Sequence, residues 1–265
     1  MIGTSKISDA LLKVRTKSPL VHNITNYVAM NNSANALLAV GASPVMAHAI
    51  NEVEDMVGIA SSLVLNMGTL SETWVEAMIL AGKKAIEKGI PVVFDPVGVG
   101  ATPYRTQVAR RIIETCKPTV IRGNASEIMA LCNSNLITKG VDSTAESNAA
   151  LDSAKLLSKS TKSIVVISGE IDYIIEGEKV AKISNGNTLM AKVTGMGCTA
   201  TAIVGAFVAV EEDVFMATVS AMAVMGITGE IAAQQSKGPG SMQMNFLDIL
   251  STLTEEQIIN TYRNE

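Results

Sequence analysis

Cysteine is scarce in this 265-residue chain: Cys116, Cys132 and Cys198 are an odd three, with no CxxC pair and no cysteine–histidine cluster. That count and spacing exclude a disulfide scaffold and a zinc site. Aromatic residues are 3% of the chain, too few for the stacked-ring surfaces on which RNA and single-strand modules hold bases. Charge is thin as well, at 17%, with 21 Lys+Arg against 25 Asp+Glu, a formal net charge of −4 and a pI near 5.4. Without a basic run there is no electrostatic footprint for nucleic acid or an anionic membrane, which leaves a small neutral or anionic ligand. Residues 1–17 mix Lys and Arg with polar residues and hold no apolar stretch, so no secretory leader is expected and the cytoplasm is the expected address.

What is abundant is apolar mass: 48% hydrophobic residues, 14 of them Met, with a mean hydropathy of +0.30. A large core can be buried. Two uncharged runs, 193–210 and 214–229, invite a membrane reading, yet the turn Gly195-Met196-Gly197 leaves 198–210 as a helix of roughly 20 Å against a hydrocarbon core of ~30 Å. Glu211, Glu212 and Asp213 separate the runs, and Gly205, Gly226 and Gly229 weaken them. Buried core helices are the expectation for both.

Along the chain, short β-branched runs alternate with longer helical patterns, the signature of a mostly parallel α/β sheet. Strands are expected at 20–24, 44–47, 62–66, 91–94, 119–122 and 163–168. Helices are expected at 26–40, 52–60, 71–88, 104–116, 126–131 and 144–160, with Gly41 and Gly89 as helix ends. Then the rhythm breaks: 171–176 and 179–184 flank Gly177-Glu178 as an antiparallel hairpin, and 189–193 reads as one more strand. From Cys198 onward the pattern is helical. No linker, low-complexity tract or fixed-period repeat divides residues 1–265, so a single domain is expected.

Ligands of open α/β sheets bind beyond the carboxyl ends of the strands. Asp95 stands at one such end, before the glycine-containing loop Pro96-Val97-Gly98-Val99-Gly100; it could be a ligand group or a cap ahead of the proline. Arg122 and Glu127 flank the next strand-to-helix turn, Gly123-Asn124-Ala125-Ser126. Arg suits phosphate and a carboxylate suits a hard cation; the competing reading is an internal salt bridge with Ser126 as N-cap. Asp95 and Glu127 together could hold Mg²⁺, directly or through waters, beside phosphate oxygens. The sharpest feature is Thr194-Gly195-Met196-Gly197-Cys198-Thr199-Ala200. A glycine turn opening an apolar helix offers the amides of Gly195, Met196, Gly197 and Cys198 as an anion hole, and there the helix dipole and a bound cation are expected to lower the Cys198 thiol pKa. A buried inert cysteine is the alternative. No GxxxxGK[ST] loop occurs. Gly195-x-Gly197-x-x-Ala200 matches a relaxed dinucleotide fingerprint but has no strand after it to complete a βαβ unit, so a nicotinamide oxidoreductase stays an outside reading, separable by testing NAD(P) against ATP.

Five segments in order, His22-Asn23-Ile24-Thr25-Asn26, Gly41-Ala42-Ser43-Pro44-Val45-Met46, Asp95-Pro96-Val97-Gly98-Val99-Gly100, Gly123-Asn124-Ala125-Ser126-Glu127 and Gly195-Met196-Gly197-Cys198, resemble the hydroxyethylthiazole kinases over nearly the whole chain. The resemblance implies a ribokinase-like fold with helices on both faces of a mainly parallel sheet, and a homotrimer with sites between subunits. It implies Mg²⁺-dependent transfer of phosphate from ATP to the alcohol of 4-methyl-5-(2-hydroxyethyl)thiazole, a step of thiamine salvage. By the same resemblance Met46, Gly195 and Asn26 contact the thiazole, Arg122 and Ser168 contact ATP, Asp95 and Glu127 are the magnesium-associated carboxylates, and Cys198 stands where the wider superfamily has an aspartate base. Met196 departs from the threonine common at that position, which removes a hydroxyl but keeps the backbone amides. Another small-molecule kinase of the same fold, acting on a hydroxymethylpyrimidine or pyridoxal, is the nearest rival, and a non-catalytic ATP-binding regulator is the rival from another class.

Overall fold

The structure is a computed structural model that describes residues 3–132 and 143–263. Strands β1 (Leu20–Ile24), β2 (Ser43–Val45), β3 (Ser62–Asn66), β4 (Val92–Asp95), β5 (Val120–Asn124) and β6 (Ile164–Ser168) are parallel. A hairpin, β7 (Asp172–Glu176) and β8 (Lys179–Ile183), adds two antiparallel strands, and the order across the sheet is β2-β1-β3-β4-β5-β6-β7-β8. The expected α/β class and mainly parallel sheet are therefore what the chain forms. After β1 the chain goes outward to β2 and returns to β3 on the other side, so the direction of travel reverses between β1 and β3. At such a reversal the crossovers diverge and leave a crevice beyond the strand carboxyl ends.

Successive strand residues point to opposite faces, and each face has its own core. Val21, Val64, Val93, Val120 and Val166 pack with α1 (Thr4–Lys17), α2 (Met30–Val40), α8 (Met196–Val208), α9 (Val214–Gln234), α10 (Pro239–Thr252) and α11 (Glu255–Thr261). Leu63, Leu65, Phe94, Ile121 and Val165 pack with α3 (Val53–Ile59), α4 (Glu72–Lys88), α5 (Pro103–Cys116), α6 (Ala125–Cys132) and α7 (Ser143–Thr161). Both faces being covered explains why β3, Ser62–Asn66, is buried along its whole length.

The helix ends follow local chemistry. Ser71 caps α4 by accepting the Trp74 N–H, and Gly89 ends it at φ +74°. The helix expected from residue 26 starts at Met30, because the Asn26 side chain accepts the Ala29 N–H and holds 26–29 as a turn. Two segments differ from expectation in kind. Residues 4–17 form α1, burying Ile7, Ala10, Leu11 and Val14 at helical spacing. The strand expected at 189–193 is a 3₁₀ turn, Thr188–Lys192, where the Asn187 side chain accepts the Leu189 N–H and Met190 lies against Gly229 of α9. The segment packs on helices rather than on the sheet.

Of the two uncharged runs, α9 is long and apolar enough to cross a membrane by length and composition, but 78% of its apolar window is buried inside the fold. It packs between α8, α1 and α10. Helix α8 lies over β1, β3 and β4. Gly205 lies against Val21 and Val64, and its carbonyl accepts the Ser62 hydroxyl at the start of β3; Thr201, one turn earlier, bonds Asp95 at the carboxyl end of β4. The amino end of α8 is thereby aimed at the carboxyl ends of the strands.

Candidate active site

Strands β3 and β4 end in polar residues whose side chains join Asn26, Cys198 and Thr201 in one hydrogen-bonded chain. Asn66, closing β3, donates from Nδ2 to Asp95 Oδ2 at the end of β4, 2.9 Å away. Its Oδ1 accepts from Asn26 Nδ2 at 2.7 Å, and Asn26 Nδ2 also reaches Cys198 Sγ at 3.3 Å. Thr201 Oγ1, on α8, donates to Asp95 Oδ2 at 2.8 Å. The side chain of Asp95 thus faces its neighbours across the sheet instead of capping the turn before Pro96.

Arg122, from β5, lies between this chain and β6. Its Nη1 is 3.9 Å from Asp95 Oδ2 and its Nη2 donates to Ser168 Oγ at 2.6 Å. Nε is buried without a hydrogen-bond partner among the described residues. A Cβ on Gly197 would stand 2.8 Å from Arg122 Nη1, so only glycine lets the guanidinium rest on the first turn of α8. Gly195, at φ +77°, turns the chain into that helix. The first α8 amide answered along the helix is Thr199 N–H, by Gly195 O at 2.8 Å; the amides of Met196, Gly197 and Cys198 precede it and have no intrahelical carbonyl. A cation and a free helix amino end meet here, which is an arrangement that holds phosphate.

Glu127, in the first turn of α6, bridges two loops: Oε1 accepts the Gly98 N–H at 2.8 Å and Oε2 the Asn124 N–H at 2.9 Å. The Ser126 cap of the competing reading is absent, since Asn124 Oδ1 accepts both the Glu127 N–H and the Ser126 hydroxyl. Arg122 pairs with Asp95 and Ser168 rather than forming the internal salt bridge with Glu127. No cluster of three metal-ligating side chains occurs among the described residues. Asp95 Oδ1 accepts no hydrogen bond from them, whereas both Glu127 oxygens already accept backbone amides; as donors to a cation the two carboxylates would offer hard oxygen. That set suits Mg²⁺, which keeps waters and phosphate oxygens in its remaining positions.

With no cation bound, the electrostatics at Cys198 runs opposite to the direction expected with one. Burial pushes the Cys198 thiol above its ordinary pKa, and Asp95 pushes it the same way; the bond from Asn26, the nearby Asn66 amide behind it and the charge of Arg122 pull it down without prevailing. Standing at the amino end of α8 does not offset the loss of water around the sulfur. Burial likewise pushes Asp95 to about 6 against Arg122 and Thr201, with Glu127 adding repulsion and Asn66 a further pull downward. Asp172, which the sequence reading passed over, is also pushed to about 6 by burial, opposed by its bond from the Gly169 N–H and by Arg122.

Met46 stands one residue beyond β2, at the same end of the sheet, half-buried against the first core and outside the hydrogen-bonded chain. His22 Nε2 meets Ala47 O at 2.8 Å and holds that loop. Beside Asn26, Trp74 sits between Tyr27 and His48, with ring centroids 4.7 and 4.5 Å away. Asn66 was missed although it closes a strand as Asp95 does; the rule that drew attention to Asp95 applies to it unchanged. Thr201 and Arg105 carried no signal in the sequence. Arg105 donates from Nη1 to Met67 O and Val97 O and from Nη2 to Gly68 O, each at 2.8 Å.

Comparison with known proteins bears on this geometry. The Hydroxyethylthiazole kinase family model matches residues 11–256. A hydroxyethylthiazole kinase of Leptospira biflexa serovar Patoc is 58% identical over 245 residues, covering 92% of each chain. The structure of a hydroxyethylthiazole kinase protein from Pyrococcus horikoshii OT3 superposes with a TM-score of 0.91 at 39% identity, over 98% of each chain. A ribokinase-like superfamily protein from Enterococcus faecalis V583 shares the fold at a TM-score of 0.69 and 13% identity, over 96% of this chain and 95% of that one.

Proposed function

The chain belongs to the hydroxyethylthiazole kinase family, and from that premise we propose that it transfers the γ-phosphoryl group of ATP to the hydroxyl of 4-methyl-5-(2-hydroxyethyl)thiazole in thiamine salvage. The observation that carries the reading is the meeting of Arg122 with the amino end of α8 at Gly197, beside the Cys198 sulfur.

The thiazole alcohol lies between Cys198 and the γ-phosphate, with Met46, Gly195 and Asn26 around the ring. Both amide protons of Asn26 are engaged within the protein, so it has no free donor for the ring, while Oδ1 keeps one acceptor position beside the Ala29 N–H. Arg122 and Ser168 hold the ATP phosphates, and the amides of Gly195, Met196, Gly197 and Cys198 receive the oxygens of the group in transit. Asp95 and Glu127 would hold Mg²⁺, whose charge, when bound, offsets that of the phosphates. Positioning and electrostatics provide most of the rate. Phosphoryl transfer through a loose transition state asks for little early deprotonation of the alcohol. A raised thiol is seldom ionised, but each thiolate is then the stronger proton acceptor.

The whole chain, 1–265, acts as one kinase domain in the cytoplasm, and the working form is a homotrimer with thiazole sites between subunits. Exposed Tyr27 and Val28 directly after Asn26, with Leu38 and Met244, support an interface near the site; a sedimentation mass other than three chains overturns it. The decisive experiment mixes protein, Mg-ATP and hydroxyethylthiazole and follows ADP, with a control lacking the thiazole. Thiazole-dependent ADP release is expected. None, or equal release in the control, would refute the reading.

A further inference from the structure

We propose that Asn66 is a positioning residue for phosphoryl transfer: it joins Asp95 to the Cys198 sulfur through Asn26 and keeps the Asn26 amide turned as a donor to that sulfur. The proposal rests on Cys198 being the base.

Two backbone amides set the direction of the chain. The Gly68 N–H faces Asn66 at 3.0 Å, and the Ala29 N–H faces Asn26 at 2.9 Å. A backbone N–H can only donate, so the atom facing it must be the side-chain oxygen. Asn66 therefore turns Nδ2 to Asp95, and Asn26 turns Nδ2 to Asn66 Oδ1 and to Cys198 Sγ. Asn66, Asn26 and Asp95 are each buried to at least 96%, where an unanswered polar atom is costly and the arrangement is held. Because the sulfur accepts from Asn26, its own proton is directed elsewhere.

The residue type is specific to this task. Aspartate at 66 has no proton for Asp95 and sets a second carboxylate beside it; leucine has neither bond; serine is too short to meet both partners. Only an amide of this length gives a donor to Asp95 and an acceptor to Asn26 at once.

The test compares Asn66→Ala, Asn26→Ala, the double variant and Thr201→Val for kcat, both KM values, melting temperature and peptide-resolved alkylation of Cys198 against pH. The charged groups acting on the sulfur are Asp95 and Arg122; all four variants keep both. Asn66→Ala is expected to lower kcat by ~10-fold or more, the effect of one hydrogen bond at a developing charge, with both KM values within about twofold. The alkylation midpoint moves to higher pH, since the Asn26 amide loses the acceptor that holds it as a donor to the sulfur. The double variant falls no further than the worse single one, and Thr201→Val, whose hydroxyl bonds Asp95 and the Gly197 carbonyl but neither asparagine nor the sulfur, leaves the midpoint in place. If Asn66→Ala does not fold, Asn66→Ser is expected to show the same losses. An unmoved midpoint in a folded Asn66 variant, or additive losses in the double one, overturns the proposal. Full turnover in Cys198→Ala would instead defeat the base assignment, while a moved midpoint would still report the link from Asn66 to the sulfur.

Discussion

Two polar clusters in this fold are each centred on an asparagine that joins a carboxylate to another group, and they are finished differently. Near the carboxyl terminus, buried Asn185 donates to Glu230 Oε2 and Thr261 O, at 2.9 and 2.7 Å, and accepts the Arg263 N–H at 2.7 Å. Arg263 closes on both Glu230 oxygens at 2.6 and 2.7 Å. Both atoms of the amide and both oxygens of the carboxylate are answered. At the strand ends, among the described residues, Arg122 Nε has no partner, Asp95 Oδ1 accepts nothing, and the first α8 amides have no intrahelical carbonyl. The closed cluster clasps the last segment to α9. The open one retains unused bonding capacity, which is what a ligand can use. Their acidities differ accordingly. Burial raises Glu230, but the bonds from Arg263 and Asn185 outweigh it and hold the carboxyl below its ordinary value, whereas Asp95 stays at about 6.

The contrast can be broken most forcefully at Cys198. Cys198→Ala should slow turnover by ~10²–10⁴ with little change in melting temperature; undiminished steady-state turnover would remove the site from the open cluster. Cys198→Asp should stay active, and its rate should be flat across neutral pH, where the wild-type rate climbs with the thiolate fraction. An inactive but folded Cys198→Asp counts against the base role.

Asp95→Asn should abolish most activity and yet stabilise the metal-free protein. The folded carboxyl titrates at about 6 against an ordinary 3.8, so ionised Asp95 costs about 2–3 kcal/mol above pH 6, and the variant's gain fades as pH falls toward 4. Denaturant melts at pH 8 and 4.5 measure it; a variant less stable than wild type at pH 8 refutes the cost. Arg122→Ala should raise the KM for ATP by ~10-fold, the loss of a charge-assisted contact, and the KM for thiazole less. Titration calorimetry showing the reverse would contradict the division of the two pockets. The smallest effect belongs to the clasp. Arg263→Ala should cost about 1 kcal/mol of stability, as partly exposed pairs do, with kcat and both KM values unchanged. Glu230 titrates below its ordinary 4.5, so the clasp's contribution is present above that value and is lost as pH falls through the folded pKa, opposite in sense to Asp95. Kinetic damage from Arg263→Ala would mean the clusters are coupled.

The sheet was legible because its strands are buried on both faces and read as continuous apolar runs, and Asp95, Arg122, Glu127 and Cys198 stood out at strand-to-helix turns. Residues 4–17 were passed over because four buried positions are spread among charged ones, and 189–193 misled because Met190 meets a helix rather than a strand. The raised Cys198 pKa of the cation-free protein was not legible for a related reason: helix position can be read from a sequence, while the desolvation that opposes it depends on what packs above. Thr201 and Arg105 are recognisable only after distant segments meet.

Arg105 has a mechanical consequence. Its three bonds fasten the carbonyls of Met67 and Gly68, after β3, to that of Val97, after β4. Separating those loops breaks bonds to a charged group, each worth about 1.5–3 kcal/mol. Asn66 and Asp95 consequently ride on one stiff plate, to which α8 is pinned as well through Thr201 and Gly205.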